Sequence, residues 1–307
     1  MFKNCSSLTQ APDLPATTLA SHCYEGMFQG CTSLTQAPAL PATTLAEDCY
    51  YQMFQGCTSL TKAPELPATT LANYCYVQMF YDCTSLTKAP DLPATTLAQS
   101  CYISMFQGCT SLTKAPALPA TTLAEGCYSN MFNNCTSLTK APELPATTLE
   151  NSCYFSMFEN CTSLAKLPAL PATTLNDACY LQMFYGCTKI KLSTTKTGEY
   201  TQEYRIPTTG TGTTATSALT SMFNSTGGTF TGTPEINTTY YLSTDNMIVR
   251  NTEVATLNGY VGSMIDDAIG EYADTAEYII PSSTSGSTKK FRITVDDSGA
   301  LTATEVT

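Results

Sequence analysis

Met1, Met27, Met53, Met79, Met105, Met131, Met157 and Met183 stand 26 residues apart, and a phenylalanine follows each one. A typical unit reads Met53-Phe-Gln-Gly-Cys-Thr-Ser-Leu-Thr-Lys-Ala-Pro-Glu-Leu-Pro-Ala-Thr-Thr-Leu-Ala-Asn-Tyr-Cys-Tyr-Val-Gln78. Seven full units and the start of an eighth fill residues 1–190. One unit is too small to bury its own apolar residues, so a fixed period of this length is satisfied by stacking. Met53, Phe54, Cys57, Leu60, Ala63, Leu66, Leu71, Cys75 and Tyr76 recur in kind in every unit. Stacked coils turn each of these positions into a continuous ladder, and residues 1–190 are expected to form a solenoid.

Within a coil, Ser59-Leu60-Thr61-Lys62 predicts a short strand and Thr69-Thr70-Leu71 a second one. Pro64 and Pro67 lack backbone N–H groups, so regular pairing should fail there. From Asn73 to Phe80 the apolar residues are spaced by three and four, the pattern of one or two helical turns. Gly56 and its equivalents then turn the chain. If coils stack at strand spacing, about 4.8 Å, seven make a rod near ~35 Å long.

The segment Cys-Tyr-x-x-Met-Phe-x-x-Cys-Thr-Ser-Leu resembles the Ile-Gly-x-x-Ala-Phe-x-x-Cys-x-Ser-Leu core of BspA-like leucine-rich repeat surface proteins of bacteria, over roughly residues 1–190. Cys23-Tyr24 and Cys49-Tyr50 replace Ile-Gly, and Met replaces Ala. The Leu-x-x-Leu-x-Leu signature is altered to Leu60-x-x-Ala63-x-x-Leu66. The resemblance implies an α+β repeat solenoid, a right-handed coil stack. It also implies cell-surface adhesion with protein or glycan binding, and it offers no catalytic motif.

Composition narrows the partners. The chain carries 14 Lys and Arg against 25 Asp and Glu, a net charge of −11. Phosphate binding needs concentrated basic residues, so nucleic acid and anionic membranes are not the expected main partners. No stretch of about 18 apolar residues predicts a transmembrane helix. Met1-Phe2-Lys3-Asn4-Cys5 lacks the basic and apolar regions of a signal peptide. The chain is thus expected to be a fragment of a longer protein or to reach its surface without a signal.

The fifteen cysteines form two columns. One runs through Cys5, Cys31, Cys57, Cys83, Cys109, Cys135, Cys161 and Cys187, the other through Cys23, Cys49, Cys75, Cys101, Cys127, Cys153 and Cys179. Both occupy apolar-periodic places, which favours buried free thiols acting as small hydrophobes. Disulfides, within a turn as Cys23–Cys31 or between coils, are an alternative in a secreted protein. Metal binding is a third reading, but there is no Cys-x-x-Cys pair or His cluster, and a spacing of eight fits no usual zinc site.

No catalytic constellation emerges. His22, the sole histidine, belongs to a freely varying column (His22, Asp48, Tyr74, Ser100, Gly126, Ser152, Ala178) and reads as a surface residue. The carboxylates of Glu47-Asp48 and Asp266-Asp267 are adjacent in sequence and would not ordinarily face one cleft. There is no phosphate-cradling glycine loop and no Gly-x-Ser-x-Gly. The chain is expected to be no enzyme, with no cofactor and no metal.

Ligand-surface candidates come from comparing units. Three windows vary: Glu47-Asp48, Tyr51-Gln52, Gln55-Gly56 and their equivalents. They carry Tyr51, Tyr74, Tyr81, Phe155 and Tyr185 among polar residues, a composition that suits protein or glycan recognition on a rigid scaffold. Drift at tolerant surface sites would leave the same variation. A second feature is the basic column Lys62, Lys88, Lys114, Lys140 and Lys166, followed three residues later by Glu65, Asp91 and Glu143 in some units. Such a row could attract an anionic glycan, or it could guard strand edges against pairing.

Composition changes at Lys189-Ile190-Lys191, and residues 191–245 read as a degenerate coil plus cap, with Leu219-Thr-Ser-Met222-Phe223 echoing the repeat. Residues 246–307 read as a helix over 252–269 and a β-hairpin from Lys289 to Val306, a small α+β end region. The apolar seam of that helix, Val254, Leu257, Val261, Met264 and Ala268, predicts a possible homotrimer. Rod, seam and hairpin together weakly resemble a phage tail-fibre end. The resulting expectation is an extracellular, non-enzymatic adhesion protein on a bacterial surface or a virion, without membrane insertion. The alternative is a purely structural spacer or tail-fibre assembly component.

Overall fold

A computed structural model describes residues 1–249 in full and the strands 278–281, 290–295 and 301–306 in backbone. The chain divides into two compact units, Met1–Val249 and Arg250–Thr307.

The first unit is a stack of coils held by an alternating use of backbone N–H groups. In the segment 22–31, the N–H groups of His22, Tyr24, Gly26, Phe28 and Gly30 donate to carbonyls of the next coil, at Glu47, Cys49, Tyr51, Met53 and Gln55, over 2.8–3.0 Å. The N–H groups of Cys23, Glu25, Met27, Gln29 and Cys31 donate three residues back, over 3.0–3.3 Å. Every donor in the segment is satisfied, as a packed backbone requires. His22, Gly26 and Gly30 have φ of 60°, 55° and 73°. A left-handed residue in third place is what a type II turn demands, and here one recurs every four residues.

This overturns the helix expected over Asn73–Phe80: no α-helix is present among the described residues. Each coil instead turns two residues inward and two outward. Cys75-Tyr76 and Met79-Phe80 point into the core, while Tyr81-Asp82 are at most half-buried. Spacings of one and four mimic a helical face over a short window. A true helix would drift by about 40° over each such step of four, whereas this pattern keeps one face.

Register makes the core a set of ladders. Phe2, Phe28, Phe54, Phe80, Phe106, Phe132, Phe158, Phe184 and Phe223 stack with ring centroids 5.5–5.7 Å apart. Tyr24 to Tyr180 stack likewise at 5.6–5.9 Å. These distances exceed the roughly 4.8 Å of a β-ladder, so the rings sit offset, the arrangement their quadrupoles favour. Cys31, Cys57, Cys83, Cys109, Cys135, Cys161 and Cys187 each donate a thiol proton to the carbonyl of a phenylalanine 29 residues earlier, over 2.9–3.1 Å. All fifteen cysteines are free, and thirteen are buried. A further ladder, Ala42, Ala68, Ala94, Ala120, Ala146 and Ala172, is fully inside, whereas Leu71 is only half-buried.

The expected strands shrink to single parallel bridges. One column links Gln10, Gln36, Lys62, Lys88, Lys114, Lys140 and Lys166, and another pairs Thr44 with Thr70, Thr96 with Thr122 and Thr148 with Thr174. Proline two residues past Lys62, Lys88, Lys114 and Lys140 stops the ladder there. Only the seventh coil has strands proper, β1 (Lys166–Pro168) and β2 (Thr174–Leu175).

Beyond it lie β3 (Lys191–Ser193), β4 (Tyr200–Arg205), β5 (Thr213–Thr214), β6 (Gly227–Gly228), β7 (Thr239–Ser243) and β8 (Met247–Val249). Four of them form a sheet in the order β4-β7-β3-β6, β5 runs parallel to β2, and β8 runs parallel to β1. Tyr180 and Phe184 donate to Ala218 and Met222, so an eighth coil continues the stack at an offset of 39 residues. Thr226 takes the cysteine place, its hydroxyl donating to the Phe223 carbonyl at 2.8 Å. Buried Asn246 fastens the cap. Its amide donates to the carbonyls of Ala165 and Lys189 at 3.1 Å, and its oxygen accepts from the Lys191 N–H at 2.9 Å. With β8 bound to β1, the first unit closes at Val249.

The second unit contains an antiparallel sheet, β11 (Leu301–Val306), β10 (Lys290–Val295) and β9 (Tyr278–Pro281) in that order. The hairpin pairs Lys290 with Val306 through Val295 with Leu301. Strand β9, absent from the sequence reading, pairs with the other edge of β10. The helix and seam expected over 252–269 lie outside the described residues.

Candidate recognition surfaces

The outward residue pairs of the turn segments form one long side of the coil stack, the turn face. All three variable windows fall on it, and in each window one residue is left-handed: Asp48, Gln52 and Gly56. Their variation is therefore bounded by backbone geometry. The last of these columns, Asn4, Gly30, Gly56, Asp82, Gly108, Asn134, Asn160 and Gly186, holds only residues that enter the left-handed region readily. The other two accept tyrosine, glutamine, serine and alanine there, at roughly 1–2 kcal/mol of strain each. The ladder on both sides of each coil supplies the order that holds them.

The five aromatic candidates all lie on this face and are all half-buried. Tyr51 and Phe155 share a column with Val77, Ile103 and Leu181. Tyr81 and Tyr185 share a second, and Tyr74 sits in a third at φ 59°. Tyr51, Tyr74 and Tyr81 come from adjacent coils and form one neighbourhood, whereas Phe155 and Tyr185 stand coils away.

Around them runs an amide network that sequence reasoning missed. Gln52 donates from Nε2 to the Tyr51 hydroxyl at 3.4 Å and to Gln78 Oε1 at 2.6 Å. Gln29 donates to Gln52 at 3.3 Å and also to Gln55. Farther along, Asn133 donates to Asn130 at 3.2 Å and to Glu159 at 3.1 Å. The signal was present: glutamines 26 residues apart, such as Gln29 and Gln55, become vertical neighbours once coils stack in register.

The lysine candidates occupy a different edge. Lys62, Lys88, Lys114, Lys140 and Lys166 are exposed on consecutive parallel bridges. The structure brings the five together and separates them from the turn-face aromatics.

Reactive chemistry is suppressed. Burial pushes the thiols of Cys49, Cys57, Cys127 and Cys179 up to about 12, and it holds Cys83, Cys109 and Cys135 well above the usual thiol range. These sulfurs stay protonated and unreactive at neutral pH. His22 lies on the surface with Nδ1 3.0 Å from Glu25 and 3.8 Å from Asp48. Burial raises the Asp48 carboxyl, and His22 opposes that rise. Among the described residues, no group of three or more His, Cys, Asp or Glu is placed to hold a metal ion. No helix among them is long and apolar enough to cross a membrane.

The family described as BspA type leucine rich repeat region matches in six copies, over residues 1–139 and 76–204. Repeats of this kind are generally non-enzymatic interaction scaffolds, and the family is associated with surface and adhesion proteins. No curated protein and no solved structure matches the chain.

Proposed function

The chain belongs to the BspA-type leucine-rich repeat family, and from that premise we propose that it is a non-enzymatic binding protein whose turn face receives a host or cell-surface protein or glycan. One observation carries this reading. The inward pairs repeat almost unchanged from coil to coil, whereas the outward pairs beside them differ on an unchanged backbone. A rigid frame with side chains that vary in place makes an aperiodic surface, which fits an aperiodic partner. Tyr51, Tyr74 and Tyr81 supply the aromatic anchors and the glutamine network supplies the polar rim. Such a protein is displayed outside the cell, on a bacterial surface or a virion.

The test is a host-protein and glycan array probed with the full chain and with a variant carrying Tyr51→Ser, Tyr74→Ser and Tyr81→Gln. Ser129, Ser100 and Gln107 already stand in those columns, so the coils accept the replacements. The expected result is a signal that the triple variant loses. Silence of the unaltered chain on every target would favour a spacer that only sets length. Light scattering on chains ending at 249 and at 307 tests the trimer, and identical monomer masses would sink it.

A further inference from the structure

The lysine column is a surface in its own right, apart from the turn face. Residues 1–188 contain six lysines and no arginine, and five of the six stand in this one column. Glu65, Asp91 and Glu143 stand three residues past the column and offset part of its charge, but five lysines against three carboxylates still leave this edge positive in a chain of net charge −11. Lysines that guard a sheet do so on its open edge. Here Lys62 is bridged by Gln36 and Lys88, and Lys88 by Lys62 and Lys114, and so on to Lys166 and Met247. No strand edge is open at these places, so the guarding role has nothing to guard. Like charges directly opposite one another on neighbouring strands instead destabilise the pairing.

We propose that this column binds a linear anionic polysaccharide laid along the stack. Four steps of about 4.8 Å give a row roughly 19 Å long, with one ammonium per step. Unlike the turn face, this edge repeats nearly identically: Thr58-Ser59-Leu60-Thr61-Lys62 recurs as residues 84–88, 110–114 and 136–140, and nearly so at 162–166. A periodic surface matches a periodic polymer. The threonine and serine columns flanking the lysines are exposed or half-buried, and their hydroxyls suit sugar hydroxyl and sulfate or carboxylate groups. Single-stranded nucleic acid is disfavoured, because these positions hold no aromatic side chain in any coil on which a base could stack.

Heparin, a sulfated linear polysaccharide, is the probe. Binding of the full chain is measured by calorimetry between low and physiological salt, beside chemically desulfated heparin and single-stranded DNA. The variant replaces Lys62, Lys88, Lys114, Lys140 and Lys166 by Gln, the residue this column already carries at Gln10 and Gln36, so the fold is kept. The unaltered chain is expected to bind heparin with a log–log salt slope approaching about −4 if all five lysines engage. Desulfation and the five-fold variant should each weaken binding by at least about ten-fold. The turn-face triple variant should bind heparin unchanged, which separates this site from the first. Absence of heparin binding at low salt, equal binding by the five-fold variant, or tighter binding of DNA would overturn the proposal.

Discussion

Gly108→Ala should disrupt the stack more than Gly56→Ala, although both glycines turn the chain at the same place in their coils. Their φ values are 76° and 71°, so a Cβ brings the same left-handed strain, roughly 1–2 kcal/mol. They differ in what lies beneath. A Cβ on Gly56 would meet Gly30 at 3.8 Å, an ordinary contact, whereas one on Gly108 would overlap the Asp82 carboxylate. The overlapped atom is the tip of an exposed side chain, so Asp82 must swing out of its preferred rotamer, at about 0.5–1.5 kcal/mol. Gly56→Ala should therefore cost about 1–2 kcal/mol and Gly108→Ala about 1.5–3.5 kcal/mol. Asp82→Gly, a residue this column already uses, should remove the difference. Urea unfolding of the two glycine variants, of Asp82→Gly alone and of the Asp82→Gly/Gly108→Ala pair gives all the numbers. Equal costs at 56 and 108, or no relief in the double variant, would refute the idea that a side chain in one coil selects the residue above it. Asn4 beneath Gly30 and Asn160 beneath Gly186 show the same arrangement.

Asn246→Ala should strand the buried carbonyls of Ala165 and Lys189 and cost on the order of 3 kcal/mol, read as faster proteolysis within 191–249 while the coils stay resistant. With thirteen cysteines buried, a thiol reagent at pH 8 should label two sites, Cys5 and Cys23, in the folded chain and fifteen in denaturant; rapid labelling of more than two in native buffer would contradict the packing. Because burial raises Cys49, Cys57, Cys127 and Cys179 from the usual 9.0 to about 12, the unfolded chain loses their protons first as pH rises. Their stabilising contribution is complete below about pH 9 and drains away towards pH 12, at about 1.4 kcal/mol per thiol per pH unit. Melting temperatures recorded from pH 7 to 11 should fall steeply above 9, and a flat profile would contradict it.

The repeat made the solenoid and its phenylalanine, tyrosine and thiol ladders readable, because each is a statement about period alone, whereas the eighth coil breaks the period with an offset of 39 residues and only its Met222-Phe223 echo was legible. Local conformation was less readable. Cys75, Tyr76, Met79 and Phe80 fit a helical face over eight residues, and the signal against it lay elsewhere, in Gly, Asn and Asp recurring at every equivalent of Gly56. That column needs the left-handed backbone which a helix forbids. Glu47-Asp48, Tyr51-Gln52 and Gln55-Gly56 are exposed or half-buried, but ladder neighbours bury equivalents such as Val77, Ser104 and Ser129, and neither that burial nor the left-handed backbone is visible in a single unit. The lysine column was legible as a row. That each lysine is paired on both sides is a tertiary fact. Asn246 was invisible, since its partners Ala165 and Lys189 are 81 and 57 residues away.

The central claim is that the coils are joined by N–H groups reaching to the next coil and contain no helix. Nuclear magnetic resonance couplings across hydrogen bonds test it directly, by linking each amide nitrogen to the carbonyl carbon that accepts from it. The amide of Phe80 should couple to the carbonyl of Met105, and that of Phe106 to Met131, each 25 residues ahead. Coupling of Phe80 to the carbonyl of Tyr76, four residues back, would mean a helix and would contradict the account.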